Sequence, residues 1–233
     1  MQLTSQLNVK NTMIDTVLSF VAPHPCCGCG RIGGLLCDNC KYNIVNEREL
    51  LCAACKRPTG ASGRCNSCRA PYDRIWYVGE RRDGLQRLIG LYKFERARSA
   101  YRTLGDLILT QLPNLPSDTV VVPVPTLAAH VRERGYDHTL LIARYVAKKR
   151  GLRLDSVIGR RGGTTQRHTT AKQREQQAKT AFEAKGYLRP DVPYLLIDDV
   201  VTTGATIKYA SEALKRIGAK DVWVAVVAYQ TLD

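Results

Sequence analysis

Two adjacent carboxylates, followed by hydroxyl side chains and a glycine, are the residues of this sequence best suited to chemistry. Asp198 and Asp199 end an apolar run that begins at Tyr194. The residues after Val200 are small or carry hydroxyl groups: Val201, Thr202, Thr203, Gly204, Ala205 and Thr206. The apolar run predicts a buried parallel strand, and residues 206–217 have the periodicity of a helix. Because a helix start binds anions, we expect a ligand with a phosphate at one end and a vicinal diol or hydrated Mg²⁺ beside it.

This segment resembles the motif with which type I phosphoribosyltransferases bind 5-phosphoribosyl 1-diphosphate (PRPP) and Mg²⁺. The resemblance implies that Asp198 and Asp199 are the catalytic acids, lying against the ribose hydroxyls and the waters of the metal. It also implies that residues 201–206 hold the 5′-phosphate. An ordinary strand–helix turn, with Asp and Thr as caps, is the alternative. Capping accounts for one acid or one threonine, but not for two adjacent acids and three threonines around a glycine.

Eight of the nine cysteines form four Cys-x-x-Cys pairs near the start of the chain. Two such pairs supply the four thiolates of a tetrahedral structural zinc site, which leaves no coordination position for catalysis. The simplest arrangement is two Zn²⁺ ions, one on the first two pairs and one on the last two. The expected ligands are Cys26, Cys29, Cys37 and Cys40 for one ion, and Cys52, Cys55, Cys65 and Cys68 for the other. An interleaved pairing, first with third and second with fourth, stays open, as does the role of Cys27.

Composition and charge limit the function classes. The chain has 233 residues and a hydrophobic fraction of 44%, but no apolar run long enough to span a membrane and no signal peptide, so we expect a cytoplasmic protein. The net charge is +14, and residues 130–190 hold 15 Lys/Arg against 5 Asp/Glu. A basic stretch of this kind is typical of proteins that bind polyanions such as single-stranded DNA, although a solvated surface has the same composition.

Strand and helix patterns alternate from residue 74 onward, which predicts a parallel sheet. We expect strands at residues 75–79, 119–122, 152–158 and 221–229, besides the strand before Asp198. We expect helices at residues 85–94, 101–112, 126–134, 139–150 and 171–182, and a loop at residues 160–170. The predicted organisation is a Cys-rich zinc ribbon at residues 22–72, followed by an α/β type I phosphoribosyltransferase-like domain at residues 73–233.

Motifs along nearly the whole chain resemble those of the ComF family. They are Leu88 to Phe94, Val122 to Pro125, Arg132 to Asp137, Gln166, Arg174, Ala181-Phe182 and the acid pair. That family joins a zinc ribbon to a phosphoribosyltransferase-like domain and is associated with natural competence. The family usually has Asn and Gln where this chain has Asp137 and His138, a departure that bears on the acceptor and not on the fold.

The resemblance also suggests which cations neutralise a departing pyrophosphate. The turn ending at Pro125 resembles the place where these folds wrap the pyrophosphate, with Lys93, Arg132 and Arg134 nearby. We assign the basic residues Arg160, Arg161, Arg167 and Arg174 to nucleic-acid contact, and Arg160, Arg161 and Arg174 also to the pyrophosphate.

The leading hypothesis is a PRPP-binding, ComF-like protein that assists the uptake or processing of single-stranded DNA. A competence helicase or other DNA-uptake proteins are the expected partners. A phosphoribosyltransferase acting on a nucleobase or related small acceptor is the second hypothesis. The third is a non-catalytic adaptor that binds nucleic acid.

Overall fold

A parallel sheet of five strands lies at the centre of the molecule. The structure is a computed structural model that describes residues 24–230, apart from residues 48, 66, 96, 161–180, 186–187 and 190. The described strands are β1 (Arg74–Glu80), β2 (Val120–Pro123), β3 (Arg153–Leu154), β4 (Ile158–Arg160), β5 (Phe182–Ala184), β6 (Tyr194–Val201) and β7 (Val222–Tyr229). The central order is β1-β7-β6-β2-β3, and every neighbouring pair is parallel. The α/β class with a parallel sheet is confirmed.

Six described helices surround the sheet or belong to the Cys-rich region. They are α1 (Asp38–Asn46), α2 (Asp83–Phe94), α3 (Ala100–Gln111), α4 (Ala128–Arg134), α5 (His138–Arg150) and α6 (Ala205–Arg216). Successive side chains of a strand point to opposite faces, so both faces of a central strand need a cover. In β6, Tyr194 and Leu196 pack with α6, whereas Leu195 and Ile197 pack with α2, α3 and α5.

The two cysteine groups lie on opposite faces of this sheet. Leu35 and Leu36, beside the first group, belong to the core that contains α2, α3 and α5. Leu51 and Ala53, beside the second group, belong to the core that contains α6. Since these residues share the cores of the sheet, each cysteine module is anchored by apolar burial. The division between residues 72 and 73 stays a prediction.

The predicted strand at residues 152–158 is wrong as a single element, because its two ends enter different sheets. Arg153–Leu154 pairs with the start of β2, and the Asp155 N–H donates to Val121 O. Ile158–Arg160 instead pairs antiparallel with β5. The polar Asp155-Ser156 step separates the two apolar parts.

Two other expectations need correction at particular residues. Phe182, predicted as the end of a helix, lies buried in β5, and most of that helix lies outside the described residues. Arg160, predicted to begin a loop, is a residue of β4, and the rest of the loop is likewise outside them. Helix α1 within the cysteine region has no fully buried residue, although Cys40, Ile44 and Val45 pack partly buried against the core, and sequence periodicity did not indicate it.

Candidate functional site

The acid pair lies at the edge of the sheet where β6 and β2 run side by side toward their carboxyl ends. Pro123 is paired with Ile197, and the Val124 N–H donates to Ile197 O at 2.9 Å. Asp198 and Asp199 follow directly, and both are buried. Ligands of open α/β sheets bind outside the carboxyl ends of the strands, so the acids occupy the expected position for a site.

Asp199 is held by two basic side chains from different helices. Its Oδ2 lies 2.6 Å from Lys93 Nζ at the end of α2 and 2.8 Å from His138 Nε2 at the start of α5. The Lys93 contact is a close ion pair and the His138 contact is a close polar contact, and neither has the alignment of a good hydrogen bond. Burial alone raises the pKa of Asp199, but Lys93 and His138 outweigh burial and hold the pKa well below its usual range. Asp199 is therefore ionised at neutral pH.

Asp198 has the opposite electrostatic character. Burial and the neighbouring charge of Asp199 raise the pKa of Asp198 to about 7. The Asp199 N–H donates to Asp198 Oδ1 at 2.8 Å, and Lys93 and Arg160 add weaker stabilisation of the charged form. Adjacent carboxylates with separated pKa values divide their roles: Asp199 is a fixed anion, and Asp198 gains most from a cation or a hydroxyl donor supplied by a ligand.

His138 links the acid pair to Arg134. Arg134 Nη1 lies 2.8 Å from His138 Nδ1, and arginine can only donate. We therefore assign the ring hydrogen to Nε2, the atom that faces Asp199. His138 is buried, and no local sequence pattern indicates this, because the side chains that surround it are far away in the sequence.

Asp137 performs a structural task at the same place. It is the N-cap of α5 and accepts from the Leu140 N–H at 3.1 Å and from Thr126 Oγ1 at 2.9 Å. The cap fixes the first turn of α5, and with it His138.

The loop after the acid pair leaves the start of α6 open to a ligand. Gly204 is the N-cap of α6, with a φ of 78°, and it has no side chain to satisfy the first-turn N–H groups. Among the described contacts of the loop, Thr203 Oγ1 accepts from the Ala205 N–H at 3.4 Å. Thr202 and Thr203 are exposed, and α6 is 12 residues long. Free N–H groups at the positive end of a helix dipole, with two exposed hydroxyls, suit a phosphate.

The remaining predicted site residues fall into four groups. Pro125 follows β2 beside the acid pair, and Arg134 lies near it through His138. Arg132 is exposed on the last turn of α4. Arg160 stacks over the Phe182 ring at 5.4 Å and acts electrostatically on Asp198. Arg161, Arg167 and Arg174 lie outside the described residues.

The eight predicted cysteine ligands form two groups, in the sequential pairing. Within each group the four Sγ atoms lie within 4.8 Å of one another. Cys29 Sγ and Cys37 Sγ are 3.7 Å apart, and Cys55 Sγ and Cys65 Sγ are 3.8 Å apart. Four thiolates at about 2.3 Å from one Zn²⁺ have this sulfur–sulfur spacing, roughly 3.8 Å in a regular tetrahedron. Both groups therefore have the donors and the geometry for structural zinc.

The turns around the sulfurs are also those of a metal knuckle. Cys26 Sγ accepts from the Gly28 N–H at 3.4 Å and from the Cys37 N–H at 3.3 Å. Burial raises the pKa of Cys26, but these backbone donors outweigh burial and lower the pKa to about 6. A Cβ on Gly28 would lie 2.4 Å from Cys40 Sγ, so the approach of the two pairs requires glycine there. Cys27 is buried next to this group but is not part of it.

Comparison with known proteins first defines the class. The family model "Phosphoribosyl transferase domain" matches residues 140–231, a range that contains the acid pair and the loop of residues 201–206. Together with the parallel sheet and the two cysteine groups, this match establishes a type I phosphoribosyltransferase-like domain with a Cys-rich ribbon.

Two curated relatives extend the similarity over most of the chain. DNA utilization protein YhgH of Salmonella typhi is 29% identical over 201 residues, which cover 81% of this chain and 88% of that protein. Competence protein F of Haemophilus influenzae is 26% identical over 218 residues, which cover 81% of this chain and 94% of that protein. The resemblance to the ComF family is confirmed by these relatives.

A solved orotate phosphoribosyltransferase from Aeropyrum pernix aligns with 60% of this chain and 62% of its own, at 23% identity and a TM-score of 0.33. That alignment adds nothing to the assignment. No helix among the described residues is both long and apolar enough to cross a membrane.

Proposed function

We propose that this protein binds PRPP together with Mg²⁺ at the acid pair and the loop of residues 201–206. The observation that carries the proposal is the position of Asp198 and Asp199 beside the open start of α6. A phosphate on the helix start brings the ribose hydroxyls toward the acids, which are strong acceptors. The ionised Asp199, held by Lys93, is ready to accept without rearranging.

The residues also fit a hydrated Mg²⁺ ion. Carboxylate oxygens and water are the ligands that Mg²⁺ prefers, and Asp198 is buried without an ion-pair partner among the described residues. When bound, the ion neutralises charge on the pyrophosphate. Lys93, Arg132 and Arg134 serve the same purpose from the protein side, while the turn at Pro125 closes around the pyrophosphate.

The biological task we propose is assistance in the uptake or processing of single-stranded DNA, in the cytoplasm and beside a competence helicase or other DNA-uptake proteins. The names of the relatives, a competence protein and a DNA utilization protein, support this role. The basic surplus of residues 130–190 provides the electrostatic attraction for a polyanion. Within it we assign DNA contact to Arg161, Arg167 and Arg174, with Arg160 at the boundary of the PRPP site.

Transfer of the phosphoribosyl group to a nucleobase or another small acceptor is the second candidate function. The intact acid pair with its ion-paired Asp199 favours it over a purely adaptor role, because an adaptor has no need of a buried carboxylate pair. Asp137 and His138 stand where the family usually has Asn and Gln, so the acceptor is to be identified by assay.

One experiment separates these functions. Thermal unfolding is followed with PRPP alone, Mg²⁺ alone and both together, and pyrophosphate release is then measured with nucleobases and with single-stranded DNA. We expect PRPP with Mg²⁺ to raise the melting temperature more than either alone. Pyrophosphate release with an acceptor identifies transfer, whereas stabilisation without release identifies binding alone. No stabilisation would contradict the proposal.

A further inference from the structure

The two cysteine modules begin with the same turn. In the first, the Cys26 N–H donates to Arg31 O at 2.8 Å and the Gly30 N–H donates to Cys26 O at 2.9 Å. In the second, the Cys52 N–H donates to Arg57 O at 2.9 Å and the Lys56 N–H donates to Cys52 O at 3.0 Å. Gly30 and Lys56 therefore occupy the same position of their turns.

That position requires left-handed backbone, yet the second module has a lysine there. Gly30 has a φ of 77°, which glycine adopts freely, and Lys56 has a φ of 58°, which is unfavourable for a residue with a Cβ. The equivalent turn of the first module shows that glycine is sufficient at this position of the zinc-binding turn. The strained backbone alone does not assign a role to the lysine, because Arg69 has a positive φ in the same module, so the role is argued from what the Lys56 side chain contacts.

The Lys56 side chain contacts the loop of residues 201–206, which we call the phosphate loop because the proposed function assigns the 5′-phosphate to it. Its Nζ donates to Thr202 O at 2.5 Å and to Ala53 O at 3.2 Å, so one ammonium group joins the knuckle backbone to the loop backbone. Thr202 is 146 residues further along the chain than Lys56. The contact fixes the carbonyl that precedes Thr203 and the N-cap of α6.

A second contact, independent of Lys56, brings the same two segments together. A Cβ built on Gly204 would lie 2.9 Å from Ala53 O and 3.1 Å from Ala53 C. The knuckle backbone thus packs directly against the N-cap glycine of α6. The first module touches the other face of the sheet and has no described contact with this loop.

We propose that the second zinc knuckle forms part of the PRPP site, and that Lys56 is the positioning residue which holds the phosphate loop in its binding conformation. This inference rests on the proposed PRPP binding. Because free-energy coupling is reciprocal, a knuckle that favours PRPP must itself be held more tightly when PRPP is bound. The first cysteine group is expected to be indifferent to PRPP.

Lys56→Gly separates this role from zinc binding, since the first knuckle folds with glycine at the same position. Arg69→Gly is the matched control. Arg69 is also in the second module, follows a Cys-x-x-Cys pair, has a positive φ of 43°, and is exposed with no described contact to the loop. Each variant removes one positive charge and one strained side chain.

Titration calorimetry with PRPP and Mg²⁺ and zinc analysis are performed on the whole chain. We expect both variants to keep the zinc content of the parent, and Lys56→Gly to weaken PRPP binding by at least about fivefold, within the usual range of coupling between sites. Arg69→Gly should bind as the parent does. Equal PRPP affinity of parent and Lys56→Gly would overturn the inference but leave the proposed function intact. A parent that does not bind PRPP would overturn both.

Zinc release to a chromogenic chelator gives a readout that loss of stability alone does not produce. In the parent, PRPP with Mg²⁺ should slow the release of about half of the zinc, the share of one site out of two. In Lys56→Gly the protection should disappear, and in Arg69→Gly it should be kept. The coupling would be refuted if PRPP with Mg²⁺ still slowed zinc release in Lys56→Gly. It would also be refuted if the parent bound PRPP but released zinc from both sites at an unchanged rate.

Discussion

His138 Nε2 lies 2.8 Å from Asp199 Oδ2, while the other nitrogen of the same ring accepts from Arg134. The imidazole is thus a buried link between a cation and the candidate catalytic carboxylate. A glutamine has the same two capacities, since its oxygen accepts and its amide nitrogen donates. A glutamine at this position is therefore expected to perform the same task as His138.

We predict that His138→Gln keeps the fold and most PRPP affinity, and that His138→Leu does not. Leucine leaves Arg134 and Asp199 without this partner, which costs about 1–3 kcal/mol for a buried polar group. Chemical denaturation measures the free energy of unfolding, and calorimetry the affinity. A leucine variant as stable as the glutamine variant would show that the link is unimportant.

Asp198→Asn and Asp199→Asn should change the free energy of unfolding in opposite directions. The pKa of Asp198 is raised in the folded state. The contribution of Asp198 to the free energy of unfolding is therefore fully present below the ordinary pKa of an aspartic acid and is lost as the pH rises through about 7. Asp198→Asn should therefore stabilise the ligand-free fold, with a gain that grows by about 1 kcal/mol between pH 6 and pH 8. Denaturation at both pH values measures this. A gain that shrinks with rising pH would contradict the assigned environment.

Asp199→Asn should destabilise the protein throughout the same range. Its pKa is depressed, so its contribution is present above its ordinary pKa and would be lost only as the pH falls through the folded value. The amide removes the partner of the buried Lys93 ammonium. Denaturation of both Asn variants side by side is the check, and stabilisation by Asp199→Asn would show that the ion pair is not formed.

Metal analysis of purified protein should give close to two Zn²⁺ per chain, and chelation should unfold the cysteine modules. The pairing is tested by the double variant Cys29→Ser, Cys37→Ser, because these sulfurs share one group at 3.7 Å. We expect about one Zn²⁺ to remain, since one of the two groups is intact. An interleaved pairing would place the two serines in different sites and leave no complete site. Disulfides in place of zinc would contradict both arrangements.

Single-stranded DNA should bind through electrostatic contacts, with an affinity that falls steeply with salt. Replacing Arg161, Arg167 and Arg174 with Ala should weaken binding and flatten the salt dependence by roughly one counterion for each arginine that is replaced. The matched control is the triple variant Arg144, Lys148 and Lys149 to Ala, which removes equal charge from exposed positions of α5. Equal effects of both triples would indicate a diffuse charge effect without a defined DNA site.

Local sequence patterns were sufficient to predict the strand–loop–helix unit of the acid pair and the two groups of four cysteines. Asp198, Asp199 and Gly204 lie within one strand–loop–helix unit, and each zinc group comes from cysteines within a short stretch of chain. Such units are specified by neighbouring residues, so spacing alone indicated their chemistry. The split of residues 152–158 was missed because strand propensity does not tell which sheet a strand joins.

Long-range contacts carry the rest of the site, and no local pattern reports them. His138 precedes Asp199 by 61 residues and Lys56 precedes Thr202 by 146. Each of these side chains reads as a solvated surface group when taken alone. Only the packing of α5 and of the second cysteine module against the sheet brings them to the acid pair and the loop.

Calorimetric titration of the parent and of Asp198→Asn with PRPP and Mg²⁺ tests the central claim most directly. The variant should be at least as stable as the parent at neutral pH, so weaker binding cannot result from unfolding. We predict one PRPP per parent chain, dependent on Mg²⁺, and affinity at least about tenfold lower in the variant, as expected when a charged hydrogen bond is removed. A parent that does not bind PRPP, or a variant that binds it equally well, would contradict the assignment of this site.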